Sequence, residues 1–198
     1  MSPRPRKISD DQVFEALTRV MQRVPAASLT LAEVGAEAGV TASALSQRFG
    51  SKQALLRALN ARFAEGTPEL LESIRERHAS PVAAIRAWAE GFAWLIATPS
   101  SLAHHLGYLQ MDLSDEVMFT HLQKATRATR RTLAQWVAEA VQAGELQPGT
   151  DPAALARLLL ATANGSMMTY ALLRQGKPVE WIRADVELAL GPFRVPAR

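Results

Sequence analysis

The chain has 198 residues, 48% of them hydrophobic, with no cysteine and a formal net charge of +3 at pH 7. This length allows one sizeable core or two modest ones. The lack of cysteine excludes disulfides, cysteine nucleophiles and thiolate zinc sites. No apolar run approaches the roughly 20 residues that a membrane-spanning helix needs, so we expect a cytoplasmic protein with no contact to a membrane.

The basic excess lies entirely in the first third of the chain. Residues 1–65 contain nine Lys/Arg and six Asp/Glu, whereas residues 66–198 contain thirteen of each. This asymmetry indicates that the N-terminal part binds an anion, although an excess of three charges on its own is also compatible with chance.

Helical periodicity runs through nearly the whole chain, and no segment keeps the period-two alternation of a strand. We therefore predict an all-α fold. Ser9 with Gln12 and Thr30 with Glu33 have the spacing of capping boxes. They predict a first helix that ends near residue 24 and a short second helix that Gly39 terminates with a positive φ.

A third helix follows at once, capped by Thr41 and ended by Gly50, and Ser51 caps a fourth that runs to about Arg62. The sequence Gly66-Thr67-Pro68 predicts a break after it. Longer helices are predicted beyond the break, over residues 68–78, 81–97, 101–111, 115–143, 152–174 and 179–190.

The second and third helices, separated by a tight turn, form a helix-turn-helix pattern. On the third helix, Leu45 and Phe49 face inward, while the remaining positions are small or polar. A helix can enter the DNA major groove when such residues allow close approach or bond to base edges. The expected base contacts come from this exposed face: Ala42, Ser43, Ser46 and Gln47.

Phosphate contacts are expected from groups around the third helix: Thr30, Thr41, Arg48 and Lys52. The basic N-terminal arm, with Arg4, Arg6 and Lys7, precedes the first helix. It either reaches a neighbouring minor groove or steers association with DNA; a solubilising tail is the alternative.

The string LTLAEVGAEAGVTASALSQRFGSKQALLRAL, residues 29–59, resembles the DNA-binding domain of TetR-family (tetracycline-repressor-like) transcriptional regulators. The resemblance covers the Val40 turn, the Leu45 to Phe49 pair and the Phe-x-Ser-Lys ending. One difference concerns Ser46 and Arg48, because family members often have aromatic residues there that press on the DNA backbone. Arg48 can replace one such contact by its charge, whereas Ser46 leaves weaker packing.

The resemblance implies two domains, a DNA-binding domain over residues 1–65 and a helical domain over 66–198 that dimerises and binds a small effector. The segment 152–174 is apolar around almost its whole circumference, so it needs burial on two sides. We expect it to pair with 179–190 and their symmetry mates; a central helix of a monomer is the alternative. The expected interface residues are Leu155, Leu159, Ala163, Met167, Ile182 and Val186.

An effector pocket would be largely apolar with a few polar groups. The candidates for its lining are Trp88, Phe92, His105, Tyr108, Met111, Trp136, Asn164 and Met168. The pair His104-His105 suggests a metal site, but neighbouring helical residues point about 100° apart and no histidine recurs four residues later. We therefore expect no metal and no cofactor.

Enzyme motifs are not found: Gly165-Ser166 lacks the context of a nucleophile elbow, and no phosphate loop or dinucleotide fingerprint occurs. We expect a homodimeric transcriptional regulator that acts as a repressor. Its expected partners are double-stranded operator DNA and a small effector. The alternative is a helical adaptor or ligand-binding protein with a vestigial helix-turn-helix.

Overall fold

The computed structural model describes residues 8–96, 98 and 100–195, and these residues are mostly helical. Short 3-10 helices lie at Ala26–Ser28, Gly91–Ile96 and Gly191–Phe193. The predicted all-α class is confirmed. The α-helices of the described residues are α1 Asp10–Arg23, α2 Leu31–Ala38, α3 Ala42–Phe49, α4 Lys52–Glu76, α5 Pro81–Glu90, α6 Ser101–Ser114, α7 Glu116–Gln142, α8 Pro152–Leu173 and α9 Pro178–Leu190.

Packing divides the described chain into two compact units. The first contains the residues up to Ala64 together with Ala103–Leu122, and the second contains Glu65–Leu102 and the residues from Gln123 onward. The predicted domains, 1–65 and 66–198, are defined by their expected functions, DNA binding and effector binding, and they stay a prediction. As a unit of packing, however, the N-terminal part also includes most of α6 and the start of α7.

The first unit has one core, to which α1, α2, α3, α4, α6 and α7 all contribute. Its buried side chains include Val13, Leu17 and Val20 of α1, with Val34, Leu45, Leu55, Leu56, Tyr108 and Met118. The hydroxyl of Tyr108 donates to the carbonyl oxygen of Val24 at 2.9 Å. Because this bond ties α6 to the end of α1, α6 belongs to the same core as the N-terminal helices.

Helix α4 differs from the prediction, since it continues without a break through Pro68. The predicted separate helix over 68–78 is therefore wrong. Proline removes one backbone hydrogen bond and costs roughly 3 kcal/mol inside a helix. The flanking side chains Ala64, Thr67 and Leu71 are all buried, and this burial offsets the loss.

A polar cluster links α4 to the α6–α7 junction within the first unit. Arg57 donates to Asp115 through Nη2 at 2.7 Å, and Gln53 donates to the same carboxylate at 2.7 Å. Asp115 also accepts from the backbone N–H of Met118. The hydrogen bond from Arg57 and that backbone bond hold the pKa of Asp115 well below its usual range.

Asp115→Asn is expected to destabilise the protein at neutral pH, because the charged bonds to Arg57 and the cap of α7 are weakened. A carboxylate with a lowered pKa contributes stability above its ordinary pKa of about 4 and loses it as the pH falls. The difference in unfolding free energy between wild type and variant should therefore shrink below about pH 4. Urea unfolding across this pH range measures it.

Asp112→Asn is the matched control for that prediction. Asn60 donates to Asp112 at 2.8 Å, and burial raises the pKa of this carboxyl. Its ionised form is disfavoured in the folded state, so the neutral amide should not reduce stability at neutral pH. A loss equal to that of Asp115→Asn would contradict the assignment.

In the second unit α9 packs on α8 and α5, and α5, α7, α8 and α9 all contribute buried side chains. Arg86 of α5 forms an ion pair with Glu187 of α9, and Arg75 of α4 pairs with Glu139 of α7 at 2.9 Å. The predicted helix over 81–97 is α-helical only to Glu90 and then tightens into the 3-10 helix Gly91–Ile96. Gly91 favours this change because glycine is a poor α-helix former.

Candidate nucleic-acid interface

The turn between α2 and α3 is fixed by local hydrogen bonds. The Thr30 hydroxyl accepts from the N–H of Glu33, whose carboxylate accepts from the N–H of Thr30 in return. Gly39 ends α2 with φ of 73°, and Thr41 caps α3 by accepting from Ala44. The predicted caps are confirmed, and the Thr30 and Thr41 hydroxyls each satisfy a backbone donor that the start of a helix would otherwise leave unpaired.

Gly35 allows α2 and α3 to approach closely. A Cβ atom at this position would lie 2.7 Å from the carbonyl oxygen of Val40 and 3.2 Å from the backbone nitrogen of Ala42. Both neighbours are backbone atoms of the turn, so they cannot move aside as a flexible side chain would. Sequence reasoning missed Gly35, although a glycine inside a short helix is a signal of close packing.

Helix α3 presents its small and polar residues to solvent. Leu45 is buried in the core, and the ring of Phe49 packs on that of Phe14 at 6.0 Å. These two anchors orient the opposite face outward. Of the predicted base contacts, Ala42 is half-buried, whereas Ser43, Ser46 and Gln47 are exposed. The Ser46 hydroxyl already donates to the carbonyl of Gly50 at 3.2 Å.

The four predicted phosphate contacts differ in their surroundings. Thr30 and Thr41 are exposed at the N-termini of α2 and α3, where backbone N–H groups favour anions, although the Thr30 hydroxyl already donates to the Glu33 carboxylate at 2.9 Å. Lys52 lies in the first turn of α4 and is half-exposed. Arg4, Arg6 and Lys7 of the basic arm lie outside the described residues.

Arg48 is held by Asp10, the first residue of α1, and by Ile8, two residues earlier. Its guanidinium forms an ion pair with Asp10, donates to the carbonyl of Ile8 at 2.8 Å and lies 5.5 Å from the centre of the Phe49 ring. A phosphate would have to compete with the Asp10 carboxylate for this group. Sequence reasoning missed this pairing because the two residues are far apart in the chain.

Glu37 neutralises two other cations of the first unit. Its carboxylate accepts from Arg19 at 2.7 Å and from Arg23 at 2.6 Å, so it ties α2 to α1. These two hydrogen bonds lower the pKa of Glu37. Arg19 and Arg23 therefore contribute to the packing of the helix-turn-helix, and sequence reasoning did not single them out.

The predicted effector residues divide between the two packing units. His105, Tyr108 and Met111 belong to the first unit, where Tyr108 is a buried core residue and Met111 packs on the same core. A depression of about 220 Å³ in this unit is lined by Gln53, Met111, Ser114, Asp115 and Met118. Of the eight candidates, only Met111 lines it, and its volume is below the 300–1,000 Å³ usual for ligand pockets.

The other five effector candidates belong to the second unit. Trp88 and Trp136 are buried, and the rings of Trp88 and Phe92 meet edge to face at 5.2 Å. Asn164 is exposed and donates to the carbonyl of Leu160, while Met168 is 43% exposed. Asn164 and Met168 therefore lie on the surface of this unit and do not join the two buried tryptophans.

The predicted interface residues are buried inside their own chain. Leu155, Leu159, Ala163, Met167, Ile182 and Val186 are at most 3% exposed. These side chains already lie in the packing of α8 on α9, so they have little surface left to offer a second subunit, and the interface itself stays a prediction. The exposed side of α8 is a different apolar stripe, with Leu158, Ala161, Gly165, Met168 and Leu172.

Two other features of the described residues bear on function. No group of three or more histidine, aspartate or glutamate side chains among them is arranged to hold a metal ion, and the Nδ1 atom of His104 lies 2.9 Å from the carbonyl of Gln22. Within the same residues, none of the helices combines the length and apolar character that crossing a bilayer requires.

Two family models match this chain. Residues 13–59 match the model described as bacterial regulatory proteins, tetR family, and residues 109–186 match the tetracyclin repressor-like C-terminal domain. The two matches together cover more than half of the chain. A comparison with curated proteins finds no match.

Solved structures of transcriptional regulators share the fold at low identity. SmeT, the repressor of the Stenotrophomonas maltophilia multidrug efflux pump SmeDEF, is 20% identical with a TM-score of 0.67, covering 96% of this chain and 93% of SmeT. A TetR regulator from Haloarcula marismortui is 16% identical with a TM-score of 0.75, covering 94% and 98%.

A third structure, FadR from Bacillus subtilis in complex with stearoyl-CoA, is 17% identical with a TM-score of 0.68, covering 94% of this chain and all of FadR at 100%. The capped helix-turn-helix, its exposed polar face and both family models agree. The chain therefore belongs to the tetR family of bacterial regulatory proteins and is a DNA-binding transcriptional regulator.

Proposed function

We propose that the protein is an effector-responsive repressor that binds an inverted-repeat operator as a homodimer in the cytoplasm and has no enzymatic activity. The observation that carries this proposal is the outward face of α3, where Ser43 and Gln47 are exposed on a helix fixed by Leu45 and Phe49. A helix with short polar residues on its outer face can lie in the major groove.

Gln47 is the residue that best fits direct base recognition. It is exposed, and its amide can donate to and accept from adenine in the major groove. Gln47→Ala should cost about 1–3 kcal/mol of discrimination at one or two operator positions. Competition binding with single-base operator variants measures the effect.

The matched control is Gln142→Ala, an exposed glutamine at the end of α7. It should leave base preference and affinity unchanged. If Gln47→Ala keeps the wild-type preference at every operator position, direct recognition by this residue is refuted. If the wild-type protein binds no DNA even at low salt, the alternative of a helical adaptor is favoured instead.

Asp10 limits the phosphate contact of Arg48, and this gives a second prediction. Asp10→Asn removes the carboxylate that pairs with Arg48, so the guanidinium becomes available to a phosphate. We expect tighter binding to all duplexes and a salt slope that is steeper by about one unit. Titrations at several salt concentrations measure both.

Asp11→Asn is the control, because it removes the same charge from the next residue, whose carboxylate pairs with Arg62 and not with Arg48. It should strengthen binding less and leave the slope nearly unchanged. Equal slopes for the two variants would show that release of Arg48 is not the cause.

The proposed dimer interface is the exposed apolar stripe of α8 together with that of α9. Leu158, Met168 and Leu172 are 42%, 43% and 79% exposed, and Leu188 of α9 is 74% exposed. Gly165 lies in the stripe with open space above it, which allows a partner helix to approach closely. Helices α8 and α9 of two subunits would then form a four-helix interface.

The proposed effector is a small, largely apolar molecule. SmeT has been solved in a triclosan complex and FadR with stearoyl-CoA, and these structures share the fold of this chain. Trp88 and Phe92 offer an aromatic pair in the second unit. Such a molecule would relieve repression by binding the non-operator state of the dimer more tightly.

A further inference from the structure

A basic stripe on α7 has no ion-pair partner among the described residues. Its members are exposed and lie in the second unit, and no acidic residue occurs between Val117 and Ala138. The stripe spans about 10 Å of helix. It consists of Lys124, Arg127 and Arg131, with Arg130 about 100° around the helix from Arg131, and none of the four takes part in the ion pairs of this unit.

A longer acidic stripe lies on α4 in the same unit. Four glutamates recur there at intervals of three or four residues, so they share one face over about 16 Å. All are exposed, and none has an ion-pair partner in the described part of the chain. They are Glu65, Glu69, Glu72 and Glu76.

The two stripes lie on either side of the contact between α4 and α7. Arg75 pairs with Glu139 there at 2.9 Å. Each helical residue turns by about 100°, which places the glutamates on the side of Arg75 away from buried Leu71. By the same count, Lys124, Arg127 and Arg131 lie on the side of Glu139 away from buried Trp136.

Like charges three or four residues apart repel and destabilise a helix, and each stripe contains several such pairs. Oppositely charged partners would relieve this repulsion. A two-fold axis parallel to the two helices would place the α4 stripe of each chain over the α7 stripe of the other chain. One contact would therefore neutralise both stripes at once.

We infer that the basic stripe of α7 docks on the acidic stripe of α4 in a second copy of this chain. Charge complementarity identifies this occupant, because the adjacent acidic stripe would repel a nucleic acid laid across the same surface. The contact uses α4 and α7, so it is separate from the proposed interface of α8 and α9 and joins two dimers at low salt.

Sedimentation equilibrium of the full chain at about 0.1 M and about 1 M salt tests the inference, because salt screens exposed charges over this range. The mean mass at low salt should be at least about twice that at high salt, because each dimer has two such surfaces. Arg127→Glu with Arg131→Glu should abolish the increase, as should Glu69→Arg with Glu72→Arg. The fourfold variant should restore part of it, because the substituted positions of the two stripes then carry opposite charges again.

Arg174→Glu with Lys177→Glu is the charge-matched control, and it should keep the increase because these residues lie between α8 and α9. A variant with Leu158→Asp and Met168→Asp lacks the proposed α8–α9 interface. In it, the contact between the α4 and α7 stripes should convert monomers to dimers at low salt. Failure of this inference can therefore be distinguished from failure of the α8–α9 interface. A mass independent of salt overturns the inference. If the Arg127 and Arg131 variant also loses affinity for random duplex, the occupant is nucleic acid.

Discussion

Gly35→Val is expected to abolish operator binding and to destabilise the helix-turn-helix by about 2–3 kcal/mol. The added Cβ would lie 2.7 Å from the carbonyl oxygen of Val40, and a branched side chain needs still more room. The turn between α2 and α3 must therefore move, and the outward face of α3 moves with it. Urea unfolding and operator binding of the purified variant measure the two losses.

Ala36→Val is the control for Gly35→Val. Ala36 is the next residue of α2 and is exposed, so valine there adds the same side chain without a backbone clash. Only the difference in helix propensity remains, which costs roughly half a kcal/mol. If both variants bind the operator as the wild type does, close approach at Gly35 is not required for recognition.

Leu159→Asp and Met168→Asp are expected to act on different properties, the first on folding and the second on dimerisation, although both residues lie on α8. Leu159 is fully buried within the chain, whereas Met168 is 43% exposed. A carboxylate at Leu159 would lose the packing of a leucine and bury a charge, so we expect a cost of about 3 kcal/mol or more and loss of the fold. Met168→Asp together with Leu158→Asp should leave the fold intact and separate the dimer.

Circular dichroism and sedimentation distinguish these outcomes. The Leu158 and Met168 double variant should keep the helical signal and thermal transition of the wild-type chain but sediment as a monomer. A dimer that persists would remove the exposed stripe of α8 from the interface. A folded Leu159→Asp protein would contradict the burial of α8 against its own chain.

The local features of the DNA-binding part could be predicted from sequence because short-range bonds determine them. Ser9 with Gln12 and Thr30 with Glu33 satisfy their own backbone donors within one helical turn. The positive φ of Gly39 depends on the glycine itself. Such features require no knowledge of distant residues, and all of them are confirmed.

Features that depend on distant residues could not be predicted in the same way. The apolar circumference of α8 predicts that two of its sides need burial, but only the packing of α9 decides which side its own chain covers. The predicted helix break at Pro68 is wrong because the burial of side chains before and after the proline offsets its lost hydrogen bond. The pairing of Arg48 with Asp10 joins two helices that the sequence places 38 positions apart.

Selection of bound sequences from random duplex DNA by the purified protein, at two salt concentrations, tests the central claim most directly. If α3 reads bases in a homodimer, the selected sequences should share an inverted repeat with half-sites about 34–36 Å apart or somewhat farther, and enrichment should weaken as salt rises. Recovery of no common sequence at low salt would contradict the account.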